Sequence, residues 1–505
     1  MLLRADTEPK ELMSTPDLAT EPTQGTTPIP PPASAEKLPR RTFTVLAVLL
    51  VGAFVVILNE TAMNVALSRI MTDLSVTERT AQWLTTGFML TMAVVIPISG
   101  WLLQRLTTRQ AFGLAMSLFA AGTAIAAVAP GFGFLLGGRI IQASGTAIMM
   151  PLLMTTVMEL VPPHMRGRVM GTISLVIATA PAIGPTVSGV ILQFLSWRFV
   201  FVMVLPIALA ILFVGLRFVP NVTETRKTHL DGWSIPLAGL GFGGLVYGLS
   251  LVGNPLIPTW ELVTALVIGA VSLAAFVLRQ LVLQRTDDAL LDLRTFTYPT
   301  FTIALSVMAI VMIVLFGSII ATPLVLQKVM GLEPLAVGLM LLPGGLLMGL
   351  LGPVIGRLYD KVGARVLVIP GAIVVTAAFA IYATISPATP WWHILVANLV
   401  MSLGLAVMMT PLFTTTLAAL PHHLYSYGSA MLGTVQQVAG AAGTALFITI
   451  MATVSGATDT QAVSTEALAT GARTAFIVVG CVWLLTIVAA FFLPKHDPDS
   501  VPEHH

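Results

Sequence analysis

Charge is scarce in this chain: Asp, Glu, Lys and Arg make up 10% of its 505 residues, against about a quarter in a soluble domain. So little charge cannot clothe a water-facing surface, which argues against a soluble enzyme. Cysteine is rarer still. Cys481 stands alone, so no intrachain disulfide can form and no zinc site can be built on thiols. It lies in the apolar stretch "FIVVGCVWLL" and reads as a small core or lipid-facing residue. The chain has no HExxH pair, no embedded His/Asp/Glu cluster and no GxxxxGK[ST] loop. Metal-assisted hydrolysis and ATP-driven transport are therefore not expected, and neither a metal nor a cofactor is called for. The net charge is +2, with no basic run or aromatic-basic patch to engage a nucleic acid.

What the chain does have is apolar surface, with 56% hydrophobic residues and a mean hydropathy of +0.92. Its solvent is the lipid bilayer. A helix needs roughly 20 apolar residues to cross about 30 Å of hydrocarbon, and fourteen segments qualify, from 43–67 to 473–493. The tenth and eleventh are expected at 334–358 and 364–386. Residues 1–41 differ in kind: "STPDLATEPTQGTTPIPPPASAEKLPRR" is polar and proline-rich, which reads as a disordered tail. It lacks the apolar core and cleavage site of a secretory signal.

An even number of spans puts both termini on one side. If that side is cytoplasmic, nineteen of the 25 Lys and Arg residues collect there, among them Arg105, Arg109, Arg166, Arg168, Lys361 and Arg365. Five face outward: Arg69, Arg79, Arg198, Lys328 and Arg473. Inward-facing loops are the basic ones, so both termini are expected in the cytoplasm.

The chain also repeats itself. "GWLLQRLTTR" (Gly100 to Arg109) matches the frame of "GRLYDKVGAR" (Gly356 to Arg365). "TAIMMPLLMTTVMELVPPH" (Thr146 to His164) matches "LAVMMTPLFTTTLAALPHH" (Leu405 to His423) at nearly the same offset. Spans 2–5 thus correspond to spans 10–13 in the same orientation, the pattern of two parallel halves. The expected organisation is a cytoplasmic tail at 1–41, a six-helix bundle at 42–219, a linker with two additional spans at 220–290, a second six-helix bundle at 291–494 and a cytoplasmic tail at 495–505.

With those motifs in view, the chain resembles a major facilitator superfamily transporter of the fourteen-helix drug:proton antiporter type. "QWLTTGFMLTMAVVIPISGWLLQRLTTRQ", "LNETAMNVAL" and "TVQQVAGAAGTALF" are most similar to the lincomycin-resistance exporter branch. The resemblance covers about residues 42–493. It implies an all-α major facilitator fold, with two six-helix bundles related by a parallel pseudo-two-fold and two extra helices between them. It also implies a bacterial inner-membrane protein, working as a monomer, that exchanges protons for a lipophilic drug or antibiotic, neutral or monocationic. A proton-coupled transporter of a metabolite, nutrient or lipid on the same fold is the alternative.

The loop motif of that family is well formed in "GRLYDKVGAR" but altered in the first half, where Gln104 replaces the usual Asp and Thr107 the usual Gly. The conformational role therefore falls to Asp360, with Arg105 and Arg109 as remaining members. The family's antiporter motif is carried by Gly184, Pro185 and Gly189 in "GTISLVIATAPAIGPTVSG".

Of 23 acidic residues, Glu60 alone lies well inside the hydrocarbon by these spans, and among bases Arg139 alone. Embedded ionisable groups are expensive and usually mark transport pathways or proton relays. Glu60 is about nine residues, roughly 13 Å, inward of Arg69. Arg139 falls at a comparable depth on the fourth span, so the two could share one polar site, as a functional centre or as a structural ion pair. The cost of burying a carboxylate and the attraction of a guanidinium oppose each other, leaving a group able to exchange protons. A cation could then compete with the proton for one site, one proton per monocation, with dications handled poorly. Asn59 stands where many relatives carry Asp, and the family's helix-4 motif supplies Arg139 and Gln142. Candidate substrate contacts are Asn59, Glu60, Asn64, Gln142, Gln436 and Gln437. The two neighbouring glutamines in "TVQQVAG" are equally readable as bonds across helices. His422, in "HHL", reads as a solvated loop residue.

Overall fold

The computed structural model describes residues 39–221, 231–252, 257–456 and 464–494; within the helices, the side chains of Asn64, Glu78, Arg79, Ala182, Pro185, Pro334 and Leu335 are outside that description. The expected tails, at 1–38 and 495–505, lie outside it too, as do the Asn64 and Pro185 contacts.

The regular elements are all helical. They are α1 (Arg40–Asp73), α2 (Glu78–Arg105), α3 (Thr108–Ala127), α4 (Phe132–Leu160), α5 (Arg166–Phe194), α6 (Arg198–Phe218), α7 (Ser234–Leu251) and α8 (Thr259–Leu283). Then comes α9 (Pro299–Lys328), followed by one continuous stretch, Pro334–Tyr382, of 49 residues. At 1.5 Å per residue that stretch would be roughly 74 Å long, more than twice the thickness of a bilayer core. It is two helices, α10 (334–362) and α11 (364–382), joined where Gly363 takes φ 77 and ψ 179. Only glycine adopts that conformation without strain. The last three are α12 (Trp391–Ala418), α13 (Tyr425–Ser455) and α14 (Thr465–Ala490). Among the described residues thirteen helical stretches are long and apolar enough to span, fourteen once α10 and α11 are separated at Gly363, as the hydropathy count expects.

The repeat is visible in the connections. A single 3₁₀ turn, Pro163–Met165, leads into α5, and its counterpart, His422–Leu424, leads into α13 at the sequence offset of 259. Within the first six helices, α1 packs on α4, α5 and α6, and α3 on α4 and α6. Within the last six, α9 packs on α12, α13 and α14. The additional pair α7 and α8 pack on each other, and α7 lies against both α2 and α13. Glycines allow this closeness: a Cβ on Gly244 would run into Gly269, and one on Gly241 into the backbone of Leu273.

Polar clamps hold the ends. Asp73, beyond the apolar part of α1, accepts hydrogen bonds from Trp197 Nε1 (2.8 Å) and Arg198 Nη1 (2.9 Å) at the start of α6. Those donors hold its carboxyl below the usual range. Asp231 accepts two hydrogen bonds from Arg279, each of 2.6 Å, and caps Ser234 at the start of α7. The Arg279 guanidinium holds that carboxyl well below the ordinary carboxylate range. Gln280 continues the network, donating to Ser234 Oγ (2.7 Å) and accepting from the backbone of Leu290 and Leu291. Cys481 is exposed on α14, the lipid-facing of its two readings.

Candidate functional site

The embedded charges sit beside an unusually close approach of α3 and α4. A Cβ on Gly122 of α3 would strike the backbone of Gln142, and one on Gly145 of α4 the backbone of Ala115 and Phe119. This approach lets Thr123 Oγ1 accept a 2.7 Å hydrogen bond from Gln142 Nε2, while the Thr123 hydroxyl donates to the Phe119 carbonyl (2.6 Å). Gln142 is thereby oriented with its carbonyl oxygen toward Arg139, whose Nη1 donates to it at 2.6 Å. Arg139 Nη1 also reaches Asn59 Oδ1 on α1 at 3.5 Å, a long contact. The guanidinium lies 4.1 Å from the ring centroid of Phe88 on α2. Attraction between a cation and an aromatic face reaches about 2 kcal/mol when water is excluded, and here both groups are about 1–2% exposed.

Arg139 is therefore engaged, but not by a carboxylate. Its Nε and the Asn59 amide nitrogen are buried without partners. Glu60 makes no hydrogen bond and no ion pair within 4.0 Å among the described residues; Arg139 acts on it only as a charge at longer range. The structural-ion-pair reading thus lacks its direct contact. One residue step turns the side chain by about 100°. Asn59 is wholly buried against Arg139, whereas Glu60 keeps part of its surface accessible.

Of the remaining sequence candidates, Gly184 packs on α1 next to Glu60, where a Cβ would meet Thr61 Oγ1 and the Leu58 carbonyl. Gly189 has nothing within 4 Å of its Cβ position. Gln437 donates across to Met92 Sδ on α2 at 3.4 Å, so it bridges the two six-helix groups. Gln436 is partly exposed and makes no hydrogen bond among the described residues. Asn398, which aligns with Arg139 in the repeat, packs instead at Gly344 of α10.

A second set of candidates lies at the end of the bundle carrying Arg105, Arg109, Arg166 and Arg168, the basic end. Asp360, at the end of α10, accepts from the backbone N–H of Gly167 (2.8 Å) and of Arg168 (2.9 Å), one to each oxygen. A carboxylate from the last six helices therefore caps the first turn of α5, where orphan N–H groups and the helix dipole favour an anion. Behind it Gly167 meets Gly356 and Gly171 meets Gly352, backbone against backbone, and Gly349 meets the Thr179 methyl group. On the other seam Gln104 donates to the His423 carbonyl (3.2 Å), and Gly100 and Ile96 of α2 pack on Ala430 and Gly433 of α13. Gln104 thus gives a hydrogen bond where Asp360, its counterpart in the repeat, takes two. Arg105 lies over the Trp101 ring, 5.5 Å away, and the backbone of Arg109 donates to Asn221.

His422 lies where its sequence reading puts it. As that reading expects, its side chain is exposed in a turn; in addition its Nδ1 lies 3.6 Å from Glu159 Oε2 at the end of α4, a contact between the two groups of helices.

This packing runs from the basic end to about the middle of the helices. On α5, Thr186 and Gln193 follow Thr179 at seven-residue steps, and so lie on nearly the same helix face, yet both are exposed. On α10, Gly338 lies fourteen residues before Gly352 and has nothing within 4 Å. The two groups of six helices are zipped together at the basic end and part toward the other. Sequence reasoning missed Phe88, Thr123 and the Glu159–His422 pair. Phe88 is one of 23 phenylalanines and Thr123 one hydroxyl among many, and nothing local marks either.

Comparison with known proteins gives a consistent picture. Residues 49–444 match the profile of the Major Facilitator Superfamily. The chain is 39% identical over 462 residues to the lincomycin resistance protein LmrB of Bacillus subtilis, covering 89% of this chain and 95% of that protein. It is 28% identical to the multidrug export protein EmrB of Haemophilus influenzae, covering 78% of each. Among solved structures it superposes on the proton:xylose symporter XylE with a TM-score of 0.63 at 15% identity, over 90% of this chain and 96% of that one. At that identity the likeness concerns the fold.

Proposed function

Since the chain belongs to the Major Facilitator Superfamily, a family of multi-pass membrane transporters and not of enzymes, we propose that it exports lipophilic drug or antibiotic molecules in exchange for protons. The relatives named for lincomycin resistance and multidrug export support the substrate class. The basic end is the cytoplasmic one, in keeping with the positive-inside rule, and a bacterial inner membrane suits the relatives. The protein as described is then closed to the cytoplasm and accessible from outside.

The observation that carries the coupling is Glu60: a carboxylate within the apolar part of α1, partly accessible, with no hydrogen bond or ion pair among the described residues. Arg139 is held away by Gln142, Asn59 and the Phe88 ring. The carboxylate is thus left for a proton or for the cationic group of a substrate, which cannot both occupy it. Substrate enters from the cytoplasm against ionised Glu60; a proton from outside displaces it; the loaded carrier turns inward and loses the proton. Gln436 and Gln437, both partly exposed, serve as polar contacts along the path, while Asn59 and Gln142, wholly buried, hold Arg139 behind it. Gly184, Pro185 and Gly189 serve α5 as it rocks, and Asp360 holds the cytoplasmic end shut, with Arg105 and Arg109 beside the corresponding first-half loop.

The test is proton-driven uptake into inverted vesicles across a panel including lincomycin and ethidium, comparing wild type with Glu60→Gln. Wild type should accumulate at least one compound, and the variant should lose gradient-driven accumulation while still exchanging label across the membrane. Equal accumulation by both proteins at every pH would sink the coupling role. Imported rather than exported cargo would favour the metabolite-transporter alternative.

A further inference from the structure

The additional helices α7 and α8 take no part in the proposed exchange, yet a groove of about 280 Å³ runs between them. Its floor is Gly244 and Ala265, where the two helices come so close that a Cβ on Gly244 would lie 2.9 Å from Gly269. The groove opens away from the rest of the protein. Its residues Leu240, Trp260 and Ile268 are exposed, as are Val263, Val267 and Val271 along the same stretch of α8. In a bilayer those side chains meet lipid.

The two ends of the groove differ in chemistry. At the end remote from the basic one, Glu261 stands in the first turn of α8 and accepts a 2.8 Å hydrogen bond from the Tyr247 hydroxyl. Trp260 flanks the carboxylate in the lining, and the Tyr247 ring stacks on Trp83 of α2 at 5.6 Å. Tryptophan and tyrosine favour the level of lipid headgroups, which is where the first turn of a spanning helix lies. Seven residues further along α8, roughly 10 Å deeper, the lining is the apolar pair Leu240 and Ile268. The groove thus has the polarity of an amphiphile, with its head at the surface and its tail toward the midplane. A carboxylate and aromatic faces both attract an ammonium, whereas a headgroup of net negative charge would meet Glu261 as a like charge. The volume falls just short of the roughly 300–1,000 Å³ of pockets that enclose a drug-sized molecule, and an open trough suits a chain lying along it.

We propose that the α7–α8 groove binds a bilayer lipid whose headgroup ends in an ammonium, with the amine on Glu261 and one acyl chain along Leu240 and Ile268. The site is separate from Glu60 and independent of the exchange proposed there. It gives the additional pair a task of its own. Tyr247 touches the carboxylate on one side and Trp83 of α2 on the other, so a bound lipid braces α7 and α8 together against the first six helices.

The test uses the full chain in vesicles containing equal amounts of phosphatidylethanolamine and phosphatidylglycerol. In parallel samples one lipid or the other carries the same diazirine in an acyl chain, and peptide mass spectrometry maps the adducts after illumination. Leu240 and Ile268 line the groove; Val263 and Val267 are exposed on the same helix pair outside the lining. Relative to Val263 and Val267, the lining positions should capture phosphatidylethanolamine over phosphatidylglycerol by about threefold, the scale of an ion pair near water. Glu261→Gln should remove that preference, and Glu261→Asp should keep most of it. Equal preference at lining and outside positions in the unsubstituted chain overturns the proposal, whatever the variants do. So does a preference that survives Glu261→Gln. Loss of the lining adducts to dodecyltrimethylammonium, added far below the lipid concentration, would make a cationic drug the occupant and overturn the lipid assignment.

Discussion

Replacing Asp360 with Asn should shift the protein from closed toward open at its basic end. Each Asp360 oxygen accepts one backbone N–H from the first turn of α5, at 2.8 and 2.9 Å. Asparagine retains one acceptor and turns its NH₂ toward the other N–H, so one charge-assisted bond becomes a donor facing a donor. A hydrogen bond to a charged group contributes about 1.5–3 kcal/mol, and an anion at a helix N-terminus a further 0.3–1 kcal/mol or so. Asp360 is half-buried, so the lower ends apply and the loss is about 2 kcal/mol. Its partners lie on the other bundle, so this loss falls almost wholly on the closed form. At about 1.4 kcal/mol per factor of ten, the closed-to-open ratio drops roughly 30-fold. Distance measurements between labels at 109 and 361 would show it directly, and inverted vesicles should show slower export because the outward-facing form is less populated. Asp360→Ala, which removes both acceptors, should shift the ratio at least as far. Distance distributions that remain the same for all three proteins would refute the cap as an inter-bundle device, leaving only the glycine seam.

Two further outcomes are expected. Substituting Phe88 by fluorinated phenylalanines weakens the ring face that holds Arg139, with little change in shape; export of a monocation should fall stepwise to about a tenth at three fluorines. A flat series alongside an impaired Phe88→Leu would make the ring packing only. Asp231, held far below the usual carboxylate range by Arg279, stabilises the α7–α8 pair at any pH above its unfolded value of about 3.9. That contribution disappears only as pH falls toward the folded value. Thermal unfolding of Arg279→Ala should therefore lie below wild type by a constant margin between about pH 5 and 8, with the two converging in strong acid; a margin that widens in acid would contradict this.

Much of the fold was legible because hydropathy adds up along the chain. Each run of about 20 apolar residues announces a span wherever its neighbours end up, and the expected break between 358 and 364 falls around the Gly363 kink that separates α10 from α11. The nearly constant offset between repeated motifs paired spans 2–5 with spans 10–13, and the structure places matching turns before α5 and α13. Glu60 and Arg139 stood out because charge in oil is rare enough to be noticed without a structure.

Their partners did not. That Arg139 rests on Phe88 and Gln142 rather than on Glu60 depends on how closely α3 approaches α4 at Gly122 and Gly145. The same is true of His422, which read as solvated and meets Glu159 across the bundle seam. The sequence by itself determined that this chain lives in a bilayer, how often it crosses, that it is doubled, and that it carries one embedded acid and one embedded base. Only the tertiary structure decided which groups those charges touch and at which end the two bundles close. Solvation energy belongs to each residue singly, whereas a contact depends on the angle and distance between helices set by small residues far away in the chain.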